Sequence, residues 1–232
     1  MSIQKFEAKL EEKKQLIEGV TQYSFEYLRP NVVHIAGGQG IQLLIDGNFS
    51  EEIAICGQPS INHGFEILIS NNTSETTRSF LNNMEFGSSV EGQAPVGKFT
   101  LKKDIDVAEY VFIATGDNID SMRSMILELE RDKQVSKKIT LLWGLESVKD
   151  FFWVNEFMDL SDGFDNFYFF PILKNPPDNW TIFSGTVTNY LKEHKFDSKS
   201  VLYIKVDSPT KSDLEDFLAN SDFLKENIVF HS

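Results

Sequence analysis

Cys56 is the only cysteine in the chain, which excludes an internal disulfide, a thiolate iron–sulfur cluster and a cysteine zinc site. Histidine is scarce as well. His34, His63, His194 and His231 are scattered, with no HxH or HExxH spacing, so structural roles are favoured over a metal site. Positive charge is in deficit: 22 lysines and arginines face 35 aspartates and glutamates, for a formal net charge of −13. No basic cluster offsets it, which argues against a nucleic-acid partner or an anionic membrane surface. The apolar runs are far too short to span a bilayer, and Met1-Ser2-Ile3-Gln4-Lys5 has no signal-peptide pattern. The expectation is a cytoplasmic protein.

Phenylalanine is abundant. Twenty of the 232 residues are phenylalanine, which implies a core rich in aromatic rings. Phe151, Phe152, Trp153, Phe157, Phe167, Tyr168, Phe169 and Phe170 cluster in sequence. They suit core packing, with a contact surface for a protein partner as the alternative.

Residues 1–102 read as β structure. Phe6, Ala8 and Leu10 alternate with charged residues, and Tyr23, Phe25 and Tyr27 with polar ones. The run 11–18 fits a strand, although its composition also suits a helix. Gln42-Leu43-Leu44-Ile45 leads into Asp46-Gly47-Asn48, a hairpin signal. Segments 52–56, 65–69 and 96–101 supply further strands, and together they predict a small antiparallel barrel.

From residue 103 the rhythm changes. Apolar strands at 110–114, 139–143, 167–172 and 201–206 alternate with helical segments that begin near Ser147, Thr186 and Ser212, and 227–230 forms a last strand. Alternation of this kind predicts a five-stranded parallel sheet with helices on both faces, a Rossmann-like domain over residues 103–232. Its focal stretch is Tyr110–Ala114 followed by Thr115, Gly116, Asp117 and Asn118, then Ile119, Met122, Ile126 and Leu129 at helical spacing. A strand, a glycine turn and a helix N-terminus are the elements of a phosphate-binding site.

A small β-barrel followed by a five-stranded α/β domain resembles the ferredoxin–NADP reductase superfamily. Gly37-Gly38-Gln39-Gly40 resembles its Ala-Gly-Gln turn. Gly87…Val90 with Ala94-Pro95-Val96-Gly97-Lys98-Phe99 resembles its Gly-Asp-x-Val and Gly-Pro-x-Gly-x-Phe. Ile113-Ala114-Thr115-Gly116 with Met122-Arg123-Ser124-Met125 resembles its nucleotide loop and helix, and Trp180…Gly185-Thr186-Val187-Thr188 its Trp…Gly-x-Val-Thr. The resemblance implies FAD in the barrel, NAD(P)H on the α/β domain, and hydride transfer between them.

The same resemblance identifies where binding residues belong. The family's flavin motif Arg-x-Tyr-Ser, counted back from Pro59, falls on Glu51, Ile53 and Ala54. In the family the arginine neutralises the FAD pyrophosphate, the tyrosine stacks on the flavin and the serine donates to its reactive nitrogen. Ser79, in Thr76-Thr77-Arg78-Ser79, is left as the pyrophosphate contact, with Arg78 as a compensating charge. An ordinary β-hairpin surface explains Arg78 and Ser79 equally. On the nucleotide side the expected contacts are Thr115, Gly116 and Asn118, although the family's second glycine is replaced. A self-capped helix is the competing reading of that loop. Glu146 and Asp207 bring further negative charge to nucleotide-facing positions, and His231 falls near the family's acidic residue as the one catalytic candidate.

Two main readings result. The first is a divergent FAD-dependent oxidoreductase taking electrons from NAD(P)H and handing them to a redox partner. The second is a cofactor-free protein of the same fold acting as a protein-binding or scaffold module. A hydrolase has no motif to support it.

Overall fold

The computed structural model describes residues 2–102, 106–131 and 137–231. Its contacts gather into two compact units. One comprises Met1–Leu101 with Asp120–Lys133, the other Lys102–Ile119 with Gln134–Ser232. The boundary expected at residue 103 lies outside the described residues.

The first unit opens with β1 (Gln4–Ile17) and β2 (Val20–Arg29), followed by β3 (Gly40–Ile45), β4 (Asn48–Phe49), β5 (Ile53–Ala54) and β6 (Gly64–Ile69). Helix α1 (Glu75–Asn83) and β7 (Ser89–Val96) complete its first stretch. The sheet runs β4-β3-β7-β1-β2-β6, with β5 pairing on β3. An antiparallel bridge between Ile55 and Ile67 links the end of β5 to β6 and closes the barrel. The run 11–18 is largely strand because it is the far half of β1: Lys13 pairs with Tyr23 and Gln15 with Thr21 on β2. Pairing overrides helix propensity here. The hairpin forms as expected, with Leu44 opposite Phe49 and Ile45 opposite Asn48. Asp46 (φ 48°) and Gly47 (φ 80°) both take the positive φ that a two-residue hairpin turn needs.

Alternation fills the barrel core. Phe6, Ala8, Leu10, Tyr23, Phe25 and Tyr27 are all buried in one cluster with Phe65 and Ile67. Two expectations are corrected. Residues 76–79 are not a hairpin surface but part of α1, which Ser74 caps by accepting from Thr77 N. The expected strand over 96–101 lies upstream, as β7, and 97–101 is irregular.

The second unit is a parallel sheet. It holds β8 (Glu109–Thr115), after which the chain continues into α2 (Asp120–Arg131) of the first unit, then β9 (Lys138–Leu145), α3 (Val154–Gly163) and β10 (Phe167–Leu173). It ends with β11 (Phe183–Ser184), α4 (Val187–Glu193), β12 (Val201–Lys205), α5 (Ser208–Ala219) and β13 (Ile228–Phe230). The order β11-β10-β9-β8-β12-β13 adds one strand, the two-residue β11, to the five expected. All pairings are parallel. Tyr110 to Ala114 are buried without a break, as a strand covered on both faces must be. Ser147 and Asp150 do form a capping box, but it opens only a short 3-10 turn, and α3 starts at Val154. Of the sequence-clustered rings, Trp153, Phe157, Phe167 and Phe169 are core, whereas Tyr168 is exposed.

Helix α2 is tied to the barrel by polar contacts. Arg123 donates to Cys56 O (2.6 Å) and to Glu66 Oε2 (3.0 Å). Gly37 N donates to Glu128 Oε2 (2.6 Å), and Arg131 to Ser60 Oγ (2.8 Å). The Arg123 side chain is largely buried, so its loss removes two charge-assisted hydrogen bonds from one place. Arg123→Ala is expected to cost about 2–3 kcal/mol in urea unfolding. A loss under about 0.5 kcal/mol would show that these ties carry little of the helix's attachment.

Candidate functional site

The sequence-expected residues fall into two groups, one in each unit. In the barrel, Ile53 and Ala54 form β5 and are only 5% and 4% exposed. Ile53 pairs with Ile41 and Ala54 with Gly40. An aliphatic side chain and a methyl thus fill the positions at which the resemblance puts a stacking ring and a hydrogen-bond donor.

Glu51 has the most definite surroundings. Its Oε1 accepts from Ser74 N at 2.9 Å, and its Oε2 accepts from Ser74 Oγ and Thr77 Oγ1, each at 2.9 Å. The carboxylate therefore sits on the N-terminus of α1, where free N–H groups and the helix dipole favour an anion. Partial burial opposes its charge, but the donors at Ser74 and Thr77 outweigh that and hold the carboxyl below its usual pKa. Arg78 is engaged too: its guanidinium pairs with Glu75 and donates to Asn71 Oδ1 at 3.1 Å. Ser79 lies further along α1 and is exposed. Ser74 and Thr77, the partners of Glu51, were not singled out by sequence reasoning, although Ser74 three residues before Thr77 is a capping pattern.

FAD does not fit this arrangement. The charge needed beside a pyrophosphate has the wrong sign at Glu51, Ser74 N and the Ser74 and Thr77 hydroxyls are engaged by it, and no ring stands at Ile53. A cleft of about 530 Å³ in the barrel unit is lined by Val33, Ile35, Ile55, Pro59, Glu66 and Arg123 among others, so it starts one residue past Ala54; Ile53, Ala54, Arg78 and Ser79 are not in its lining. Sequence reasoning did not foresee it.

In the parallel sheet the strand order reverses between β8 and β12, and the crevice at the carboxyl ends there is where open α/β sheets bind ligands. Thr115 ends β8 and Asp207 follows β12, with Asp207 N donating to Thr115 Oγ1 at 2.9 Å. Asp207 Oδ1 accepts from Thr210 N at 2.9 Å, capping α5. Burial opposes that carboxylate's charge, yet the hydrogen bonds prevail and lower its pKa. Gly116 turns the chain with φ 54°, its N–H donating to Gly144 O and its carbonyl accepting from Trp143 Nε1 at 2.7 Å. A Cβ on Gly116 would meet nothing within 4 Å, so the turn is held from behind and open in front. Asn118 folds back on Thr115 O through its N–H and its side chain, both at 3.1 Å. Glu146 accepts from Asn175 (2.6 Å) and pairs with Lys174 (3.3 Å), which offsets its charge. His231 follows β13 and donates its N–H to Ile204 O at 2.8 Å, one strand beyond β12. The structure thus brings Thr115, Gly116, Asn118 and Asp207 together and leaves His231 at the outer strand.

Residues 112–205 match a family model described as the oxidoreductase NAD-binding domain. One component of the Na(+)-translocating NADH-quinone reductase of Shewanella putrefaciens is 33% identical over 124 residues, 50% of this chain and 40% of that one. This chain therefore spans well under half of that relative. Among solved structures, a ferredoxin NADP+ reductase from Neisseria gonorrhoeae with bound FAD and NADP has a TM-score of 0.83 at 16% identity, covering 98% of both chains. The cytochrome b5 reductase domain of Ulva prolifera nitrate reductase has a TM-score of 0.81 at 15% identity, covering 98% of this chain and 97% of that one. At such identities the likeness is one of fold.

The depressed Glu51 pKa sets a pH dependence. The carboxylate's contribution to stability is fully present above the usual carboxylate pKa and is lost as pH falls through the lower folded value. Glu51→Ala is expected to destabilise the chain by about 1 kcal/mol near neutral pH. The gap to the unsubstituted chain should shrink below about pH 4. Urea unfolding across that range checks it; a gap that does not depend on pH would contradict the capping role.

Proposed function

We propose that this chain, which has the fold of the ferredoxin–NADP reductase superfamily, works in electron transfer, taking NAD(P)H at the carboxyl ends of β8 and β12. The observation that carries this reading is Gly116: a positive-φ turn at the sheet's reversal point, anchored by Trp143 and Gly144, with open space in front of it. Its place within the stretch that matches an oxidoreductase NAD-binding domain supports the same reading.

On this reading Thr115 and Asp207 fix the floor of the crevice, and Gly116 lets a nucleotide approach the backbone. The Glu146 carboxylate stands at that edge as an acceptor for a nucleotide ribose hydroxyl. A bound reduced nicotinamide supplies a hydride. The group that takes up this hydride would be a two-electron acceptor presented by a redox partner protein, as suits a chain similar to one component of a larger reductase. Among the described residues no helix is long and apolar enough to cross a membrane. The cofactor-free scaffold draws no support from relatives that are named as reductases.

NADH titration, followed by quenching of tryptophan fluorescence, tests the reading. Trp143 donates to the turn itself and should report binding. Gly116→Val forces a β-branched residue to positive φ and puts a side chain into the approach path. It is expected to weaken NADH binding by roughly tenfold or more. Absence of NADH binding at millimolar concentration, or equal affinity in the variant, would overturn it.

A further inference from the structure

We infer that Glu51 is a built-in anion that occupies the barrel's pyrophosphate seat, so that this chain cannot anchor FAD there. The resemblance brings position 51 and the segment 76–79 to the two sides of a pyrophosphate. The structure brings the same places together around a carboxylate of the chain's own: Glu51 on Ser74 N, Ser74 Oγ and Thr77 Oγ1, all at 2.9 Å. Ser74 N and the two hydroxyls are thereby engaged, and a second anion would add like-charge repulsion at short range.

Three further observations agree with it. Ile53 and Ala54 are buried where a flavin would need a ring and a donor. Arg78 is held by Glu75 and Asn71 rather than free to neutralise a phosphate. A cleft of the barrel unit that is lined by Ile55 and Pro59 includes none of Ile53, Ala54, Arg78 and Ser79 in its lining. The exclusion is thus distributed over β5, the approach to α1 and α1 itself. A flavin dinucleotide serving this chain would have to be carried by the redox partner.

Inorganic pyrophosphate tests the seat without the rest of the flavin. The full chain, Glu51→Ala and Glu51→Gln are each titrated with it while the backbone amide signals of Ser74 and Thr77 are followed by NMR. Those signals also report whether α1 stays folded. Expected is no shift in the unsubstituted chain, and in Glu51→Ala a saturable shift confined to these amides, with an affinity at least about tenfold higher. The isosteric Glu51→Gln keeps the side chain in place without its charge and should fall between the two. Equal response of all three chains, whether bound or unbound, would overturn the inference, as would tight binding to the unsubstituted chain. Should Glu51→Ala not fold, a Glu51→Gln chain indistinguishable from the unsubstituted one would do the same. The NADH titration concerns other residues, so either reading can fail without the other.

Discussion

The double-sided burial of β8 is the constraint on which the second unit depends. The strand lies between β9 and β12, pairs in parallel with both, and has no exposed residue from Glu109 to Ala114. A strand so placed must be apolar throughout its interior, and its parallel neighbours must be reached by crossover connections. Those crossovers put all the carboxyl ends on one edge, and the reversal of strand order beside β8 opens the crevice there. Thr115 and Gly116 are thus positioned by the hydrophobic demand of the five residues before them. Beyond the turn the chain enters α2, whose Arg123, Glu128 and Arg131 are bonded to barrel groups.

On the inference drawn above, one side chain decides which anion the barrel's helix end holds. A helix N-terminus binds whichever anion reaches it. An arginine at position 51 would recruit a phosphate to that end of α1, whereas Glu51 supplies the anion from the chain. Two unit charges about 4 Å apart near a surface repel by up to about 4 kcal/mol, enough to decide between them. The sheet differs in degree: its carboxylates at Glu146 and Asp207 are held by Lys174, Asn175 and Thr210 and leave the front of Gly116 open.

Much of this was legible in the sequence where pattern is local. Alternation in β1 and β2, the Asp46-Gly47 turn, the unbroken apolar run of β8 and the start of α4 near Thr186 each depend on neighbours within a few residues. Helix α1 escaped notice because Thr76 and Thr77 suit a strand as well as a helix, which masks the capping signal of Ser74. The two-residue β11 is too short to leave a periodic signal. The wrong sign of charge at Glu51 was readable, but its partner was not: Ser74 is 23 positions away, and only the fold brings them together. The cleft beside Arg123 was invisible for the same reason, since α2 and residues 57–66 line it from distant parts of the chain.

The central claim is that the sheet retains a nicotinamide site while the barrel has given up its flavin anchor. A visible absorption spectrum of the purified chain, taken after incubation with FAD and gel filtration, tests it most directly. The account predicts a colourless protein that still binds NADH. A yellow protein holding FAD in stoichiometric amount would contradict it.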